Sequence, residues 1–451
     1  MTATDDRFAK MQPFDPTGRR RYAAAELPPG PRWPTLLQSI ALVRFRHQFV
    51  PAMHRRYGDV FTVRIMPKGQ PLVLFTRPEH TKEIFAGDPE VFHAGKGNAI
   101  LGPIMGEHSL LLQDSGEHKR ARKLLMPAFN GQVLRGYETV VSQLAKEEVD
   151  RWTPGEELRS LDRMNALTLE VILRVVFGVT DESRLARLRP LVNNTVNVSP
   201  AVLLGWGYPF LQRFGPWKAT VENQRALDEV MYDEIARRRT APDLAERTDV
   251  LSQLLRVTDE GGLSDHELRD QLVTLLLAGH ETTATALAWA VELLLANPDK
   301  LDALRADLPN GDDYLNAVIH ETMRLRPPLP MFDRMVCEPI EVLGYRIPKG
   351  AVMACNIARV HRRPDLYPDP LAFRPERFLD SPPETYGWVP FGGGVRRCLG
   401  AAFAQVEMQT VLQTLAESVA LEAVGGAEAV RRRGITLAPS RGGQVRALAA
   451  R

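Results

Sequence analysis

The most regular hydrophobic pattern in the chain lies between Ser264 and Pro298, where Leu, Val, Ala and Trp recur on nearly every face of a helix. Ser264 and Glu267 stand at capping-box spacing ahead of this run, and Asn297-Pro298 closes it. About thirty residues at 1.5 Å each predict an element roughly 45 to 50 Å long, enough to cross a whole domain. Its lack of a polar face predicts that it is central. Upstream, Val60 to Ile65 and Pro71 to Thr76 are short apolar runs either side of a Pro/Gly turn and predict a β-hairpin. Most later segments have helical period, among them Tyr314 to Leu325 and Leu399 to Glu417, with strand-like pieces near Glu341 to Ile347 and Val352 to Asn356. The sum is a mainly α fold with a minor β part.

No period recurs and no low-complexity linker divides the chain, so one continuous domain, 26–451, is expected behind a loosely ordered lead, 1–25, that ends at the Pro-rich Leu27 to Pro31. The first 26 residues contain no apolar core of a signal peptide, and polar residues interrupt the longest apolar stretches, so neither export nor a membrane anchor is expected. A formal net charge of +2 over 451 residues is too small to favour nucleic acid by bulk electrostatics. The three cysteines, Cys337, Cys355 and Cys398, form no CxxC pair and no disulfide framework, which favours a reducing cytoplasm.

Chemistry concentrates around the last of these. Phe391-Gly392-Gly393-Gly394-Val395-Arg396-Arg397-Cys398-Leu399-Gly400 sets one cysteine among glycines and arginines just before an Ala-rich helical run. The positive end of that helix would favour a thiolate, and a thiolate can ligate haem iron. Gly392, Gly394 and Gly400 would let backbone approach a flat ligand, and Arg396 supplies a cation for a propionate. A buried structural cysteine in a glycine turn is the alternative.

With the spacing Phe-Gly-x-Gly-x-Arg-x-Cys-x-Gly in view, the chain resembles the cytochrome P450 family of haem-thiolate monooxygenases, from the hairpin almost to the last residue. The resemblance implies that family's fold, with the long helix over the haem and small β-sheets beside it. It implies haem b as cofactor, with Cys398 as the metal ligand and Phe391, Gly394 and Gly400 around it. Glu321-Thr322-Met323-Arg324 matches the family's Glu-x-x-Arg helix and Pro375-Glu376-Arg377-Phe378 its partner segment, which implies a structural triad of Glu321, Arg324 and Arg377. Ala278-Gly279-His280-Glu281-Thr282-Thr283 resembles the oxygen-activating segment of the long helix. By that likeness Glu281 relays protons, Thr282 acts on bound dioxygen, and Gly279 permits close approach to something flat or a local opening. The alternative for Thr282 is simple helix packing, its hydroxyl bonded to the carbonyl four residues back. His280-Glu281 does not extend to a zinc-protease motif, because position 284 is Ala284. His118 and Arg122, one turn apart in a basic helix, are implied as propionate partners together with Arg334 and Arg396. Lys119, Arg120 and Lys123 of the same helix could face outward toward an acidic electron donor.

The apolar stretch from Val198 to Trp217 is implied as a lid, with Phe92 to Leu112, Pro330 to Phe332 and Ile435 to Leu437 as further walls, around a lipophilic substrate of terpenoid, steroid, fatty acyl or polyketide type. Only about fifty residues follow Gly400, too few for a flavin or iron–sulfur domain. Electrons are therefore expected from a separate ferredoxin or flavodoxin with its NAD(P)H-dependent reductase, delivered to a cytoplasmic monomer that splits O2. A peroxygenase or isomerase on the same scaffold, or a non-catalytic haem or ligand carrier, are the competing readings.

Overall fold

The computed structural model describes residues 27–450 apart from 67, 199–201, 203–208, 258–260 and 380. The lead 1–25 and nine of the twenty residues of the expected lid, Trp206 and Tyr208 included, lie outside the described residues.

The central element is the helix Asp265–Ala296, 32 residues long. Both halves of its capping box form: Ser264 Oγ accepts from the Glu267 N–H at 3.3 Å, and a Glu267 carboxylate oxygen accepts from the Ser264 N–H at 2.8 Å. Pro298, which lacks the amide the first helix would need, stops it and opens the next helix, Pro298–Asp307. Ser264→Ala removes one half of the box from an exposed helix end. It should lower stability by about 1 kcal/mol, read as a shifted denaturant midpoint with unchanged slope.

Twelve described strands fall in chain order as β1 (Val60–Ile65), β2 (Gln70–Phe75), β3 (Phe92–His93), β4 (Glu157–Arg159), β5 (Met331–Val336), β6 (Ile340–Val342), β7 (Tyr345–Ile347), β8 (Val352–Asn356), β9 (Val419–Ala423), β10 (Val430–Arg433), β11 (Thr436–Pro439) and β12 (Gln444–Ala450). The expected hairpin is β1–β2, antiparallel with Val60 opposite Phe75. It enters a five-stranded sheet of order β1-β2-β8-β5-β3, in which only β2 and β8 run parallel. The segment from Glu341 to Ile347 is two strands rather than one, because Leu343 and Gly344 both take positive φ (57° and 74°) and turn the chain back on itself. Strand β5, with no clean alternation in its sequence, was not among the expected elements.

One large apolar core surrounds the central helix. The helix Ser160–Phe177 packs along it, and the helices Asp313–Leu325 and Ala401–Ser418 close the other side. A second core lies between the five-stranded sheet and the helix Pro78–Phe85, and a third between that sheet and the helix Arg46–Tyr57. The hairpin β10–β11 leans on the central helix, where Trp289, fully buried, donates its indole N–H to Leu437 O at 2.7 Å.

Candidate active site

A central helix should be buried on every face, and this one is not. Ala278 is exposed, and Leu275, Gly279 and Thr282 are only half-buried, while Thr274, Leu276, His280, Glu281 and Thr283 are buried. Positions 275, 278, 279 and 282 form one helical stripe of partial exposure, and Leu277 on another face is half-buried as well. Thr282 belongs to that strip, and its Oγ1 donates to Ala278 O at 2.7 Å. The oxygen's lone pairs remain available as acceptors.

Glu281 points elsewhere, since successive residues on a helix diverge by about 100°. It is buried, accepts a hydrogen bond from Thr436 Oγ1 at 3.1 Å, and has Arg433 Nε 3.9 Å away. Burial raises its pKa, while the Thr436 hydroxyl and the Arg433 charge oppose that rise. Arg433, from β10, escaped the sequence reading, and Thr436, from β11, was expected only within the Ile435 to Leu437 wall, because nothing in their local pattern points to a residue 150 positions away.

Gly279 has a different reason from the one expected. A side chain there would lie 2.8 Å from Ile172 Cδ1, so the glycine lets the Ser160–Phe177 helix pack close. Gly394 is corrected likewise. Its φ of +63° suits glycine, and a Cβ would sit 1.8 Å from the backbone oxygen of Phe85, so protein occupies that space. Gly400 differs from both: a Cβ there meets nothing within 4 Å, so this residue does border open space.

The cysteine segment is a closed loop. The Cys398 N–H donates to Phe391 O at 2.9 Å, and the Arg397 N–H donates to Gly394 O at 3.1 Å. Phe391 sits edge-on to Trp388, with ring centroids 6.1 Å apart. Gly400 is the N-cap of the helix Ala401–Ser418. Cys398 is exposed to the concave side, yet the protein around it removes enough water for burial to raise the thiol pKa. The Gly400 amide, Arg397 and Arg122 act the other way. Without a metal, desolvation thus works against the favourable helix end, and coordination to a cation would favour the thiolate.

Three arginines and a histidine from three segments converge beside the loop. His118 and Arg122 come from the helix Ser115–Leu125, Arg334 from β5, and Arg396 from the loop itself. Burial lowers the pKa of His118 to about 4, with Arg396 and Arg122 adding to the effect. Arg334 is lowered to about 10 by burial and then by Arg396. Arg122 also feels Cys398, so it lies on the cysteine's side of the cluster. Arg396 donates to Leu110 O at 3.1 Å, to Gln113 O and to Asp114, which ties the loop to the start of the basic helix. Asp114 also accepts from the Gly95 and Lys96 amides at 2.8 and 3.0 Å and faces His93 at 3.4 Å. Its place as N-cap before a basic helix was a signal the sequence offered.

Glu321, Arg324 and Arg377 do meet. Arg324 Nε is 2.6 Å and Nη2 2.8 Å from the two oxygens of Glu321, and Arg377 Nε is 3.2 Å from Glu321 Oε1. Glu321 and Arg324 are fully buried. The Arg324 guanidinium also donates to His361 O and Pro370 O, both at 2.8 Å, and to Ala372 O at 3.2 Å. His361 carries the network onward, because its Nε2 accepts the Val389 N–H at 2.7 Å, nine residues before Cys398. Burial and Arg324 push the His361 pKa down to about 3, which keeps that nitrogen an acceptor at neutral pH. His361 also went unremarked in the sequence.

The comparisons with known proteins agree with this architecture. The family model described as Cytochrome P450 matches residues 28–428. Among curated relatives, cytochrome P450 135A1 of Mycobacterium tuberculosis is 49% identical over 425 residues, covering 93% of this chain and 95% of that protein. Cytochrome P450 135B1 of Mycobacterium bovis is 40% identical over 435 residues, covering 94% and 92%. Among solved structures, retinoic acid bound cyanobacterial CYP120A1 superposes with a TM-score of 0.84 at 24% identity, covering 94% of this chain and 100% of that one. The fold is thus that of the haem-thiolate oxygenases. The chain belongs to the cytochrome P450 family, and with that it is a monooxygenase oxidoreductase whose family binds haem b through a cysteine thiolate. Among the described residues, no helix is long and apolar enough to cross a membrane.

The residues present fit haem. Three arginines and a histidine gather where Asp114 is the carboxylate that pairs with Arg396, so anionic groups complete the charge balance. Arg334 donates to Asp333 O at 2.8 Å and lies over the Phe85 ring, which leaves donors for propionate oxygens. Cys398 and Gly400 border open space on the other side of the same loop.

Proposed function

We propose that this chain, one haem domain behind its lead, inserts one oxygen atom from O2 into a lipophilic small molecule of terpenoid, steroid, fatty acyl or polyketide type. Two electrons and two protons reduce the other oxygen atom to water, the electrons coming from a separate ferredoxin or flavodoxin with its NAD(P)H-dependent reductase, in the cytoplasm. The observation that carries the reading is the partly exposed strip of Leu275, Ala278, Gly279 and Thr282 midway along the central helix. Apolar except for one hydroxyl, it is the surface an apolar substrate and a reacting oxygen need.

Haem, when bound, would supply the redox chemistry, with Cys398 as the residue that would ligate its iron and His118, Arg122, Arg334 and Arg396 as those that would hold its propionates. Phe391 and Gly400 border it. Thr282 orients the proton that reaches dioxygen. Glu281 accepts protons arriving past Arg433 and Thr436 and passes them toward the helix strip, burial having raised its pKa above the ordinary carboxylate value. A peroxygenase has no need of either group.

Thr282→Ala tests this assignment. With a surrogate ferredoxin and reductase, NAD(P)H consumption should continue while product formed per NAD(P)H falls roughly a hundredfold. Unchanged coupling would remove Thr282 from oxygen activation. Substrate-induced shifts of the haem spectrum across lipophilic and polar compounds test the substrate class, and shifts confined to polar compounds would overturn it.

A further inference from the structure

The helix Thr35–Arg44 turns most of its large apolar residues outward. Its single buried residue is polar, Gln38, whereas Leu36, Leu37, Ile40 and Val43 are 57, 53, 46 and 63% exposed. Specific bonds fix this orientation. Gln38 Nε2 donates to Trp33 O at 2.7 Å and to Pro31 O at 3.1 Å, and Gln38 Oε1 accepts the Arg64 N–H at 2.8 Å. Ser39 Oγ accepts the Met66 N–H at 2.9 Å. The inner face, Gln38 and Ser39 on the end of β1 with Ala41 and Leu42 against the third core, holds the helix in place, and the apolar stripe Leu36, Ile40 and Val43, at i, i+4 and i+7, is turned outward. Trp33 and Phe45 extend it at either end, both about half exposed. Six of the seventeen large hydrophobic residues exposed among the described residues therefore fall within thirteen positions, which marks a contiguous patch rather than scattered singles.

The charge around the patch is of one sign. From residue 27 to 58 the sequence holds five arginines, Arg32, Arg44, Arg46, Arg55 and Arg56, and no aspartate or glutamate. All but Arg46 are exposed, and Lys68 beyond β1 is exposed too. A two-fold pairing of this face with a second copy would set the same arginines against one another. A nucleic acid would match the charge and leave the apolar stripe in water. An apolar interior beneath anionic headgroups matches both features, with Trp33 suited to the boundary between them.

We infer that the segment from Arg32 to Arg46 is a docking surface for an anionic lipid bilayer, with the Thr35–Arg44 helix lying in the plane of the interface. Ten residues, about 15 Å of helix, cannot span a bilayer, so the contact is peripheral and reversible. Arginines at the rim attract the surface and the stripe enters the headgroup boundary.

Co-sedimentation of the full-length, haem-loaded protein with lipid vesicles tests this. Binding is expected to mixed phosphatidylcholine and phosphatidylglycerol vesicles, weaker by roughly tenfold on pure phosphatidylcholine or at high salt. Leu36→Ser with Ile40→Ser and Val43→Ser, and separately Arg32→Glu with Arg44→Glu, should each cut it by roughly tenfold or more, with thermal unfolding and the haem spectrum unchanged. No sedimentation with the mixed vesicles would overturn the inference. So would binding that survives both sets of substitutions, or self-association abolished by the serine set in a protein that ignores vesicles.

Discussion

Arg324→Ala should destabilise the protein by about 3 to 5 kcal/mol, because it strands a fully buried carboxylate. Glu321 would keep the Arg374 amide at 2.8 Å and Arg377 at 3.2 Å but lose its bidentate partner. Three backbone carbonyls, of His361, Pro370 and Ala372, would lose their donor at the same time. The loss should spread to the cysteine loop through His361, whose carbonyl and ring nitrogen bridge Arg324 and Val389. Denaturant unfolding measures it, and haem retention in the folded fraction should fall in parallel. Removing both charges together, Glu321→Leu with Arg324→Met, should cost less than Arg324→Ala alone, since the fully buried carboxylate is gone and only Arg377, whose side chain is 11% exposed, loses a partner. A midpoint unchanged in Arg324→Ala would show that the cluster has no structural role.

Cys398→Ala should lower monooxygenase turnover by at least about a thousandfold, some 4 kcal/mol of barrier, with the fold intact. The loop is held by backbone bonds, Cys398 N–H to Phe391 O and Arg397 N–H to Gly394 O, which alanine preserves. Cys398 is exposed and belongs to none of the apolar cores. Turnover with a surrogate redox partner, read beside circular dichroism, separates the two effects. Retained turnover in a folded variant would mean that Cys398 is not the ligand.

Local chemistry explains what was legible in the sequence. The capping box at Ser264 and Glu267, the Asn297-Pro298 stop and the hairpin turn each depend on residues within a few positions, and each element formed where its pattern lies. The Glu-x-x-Arg spacing was legible for the same reason: i and i+3 share a face of one helix. What was missed depends on contacts across the fold. Arg433 and Thr436 meet Glu281 because a late hairpin leans on the central helix, and His361 meets Val389 because two loops cross. Glycine misleads in a particular way, since its pattern says that something comes close without saying what. At Gly279 the close neighbour is Ile172 and at Gly394 it is the backbone of Phe85, while Gly400 alone of the three borders open space.

The most direct test of the central claim is the carbon monoxide difference spectrum of the reduced, haem-loaded protein. Thiolate ligation by Cys398 predicts the strongly red-shifted Soret band, present in the native protein and absent from Cys398→Ala. A native spectrum without that shift, or a shifted band that persists in Cys398→Ala, would contradict it.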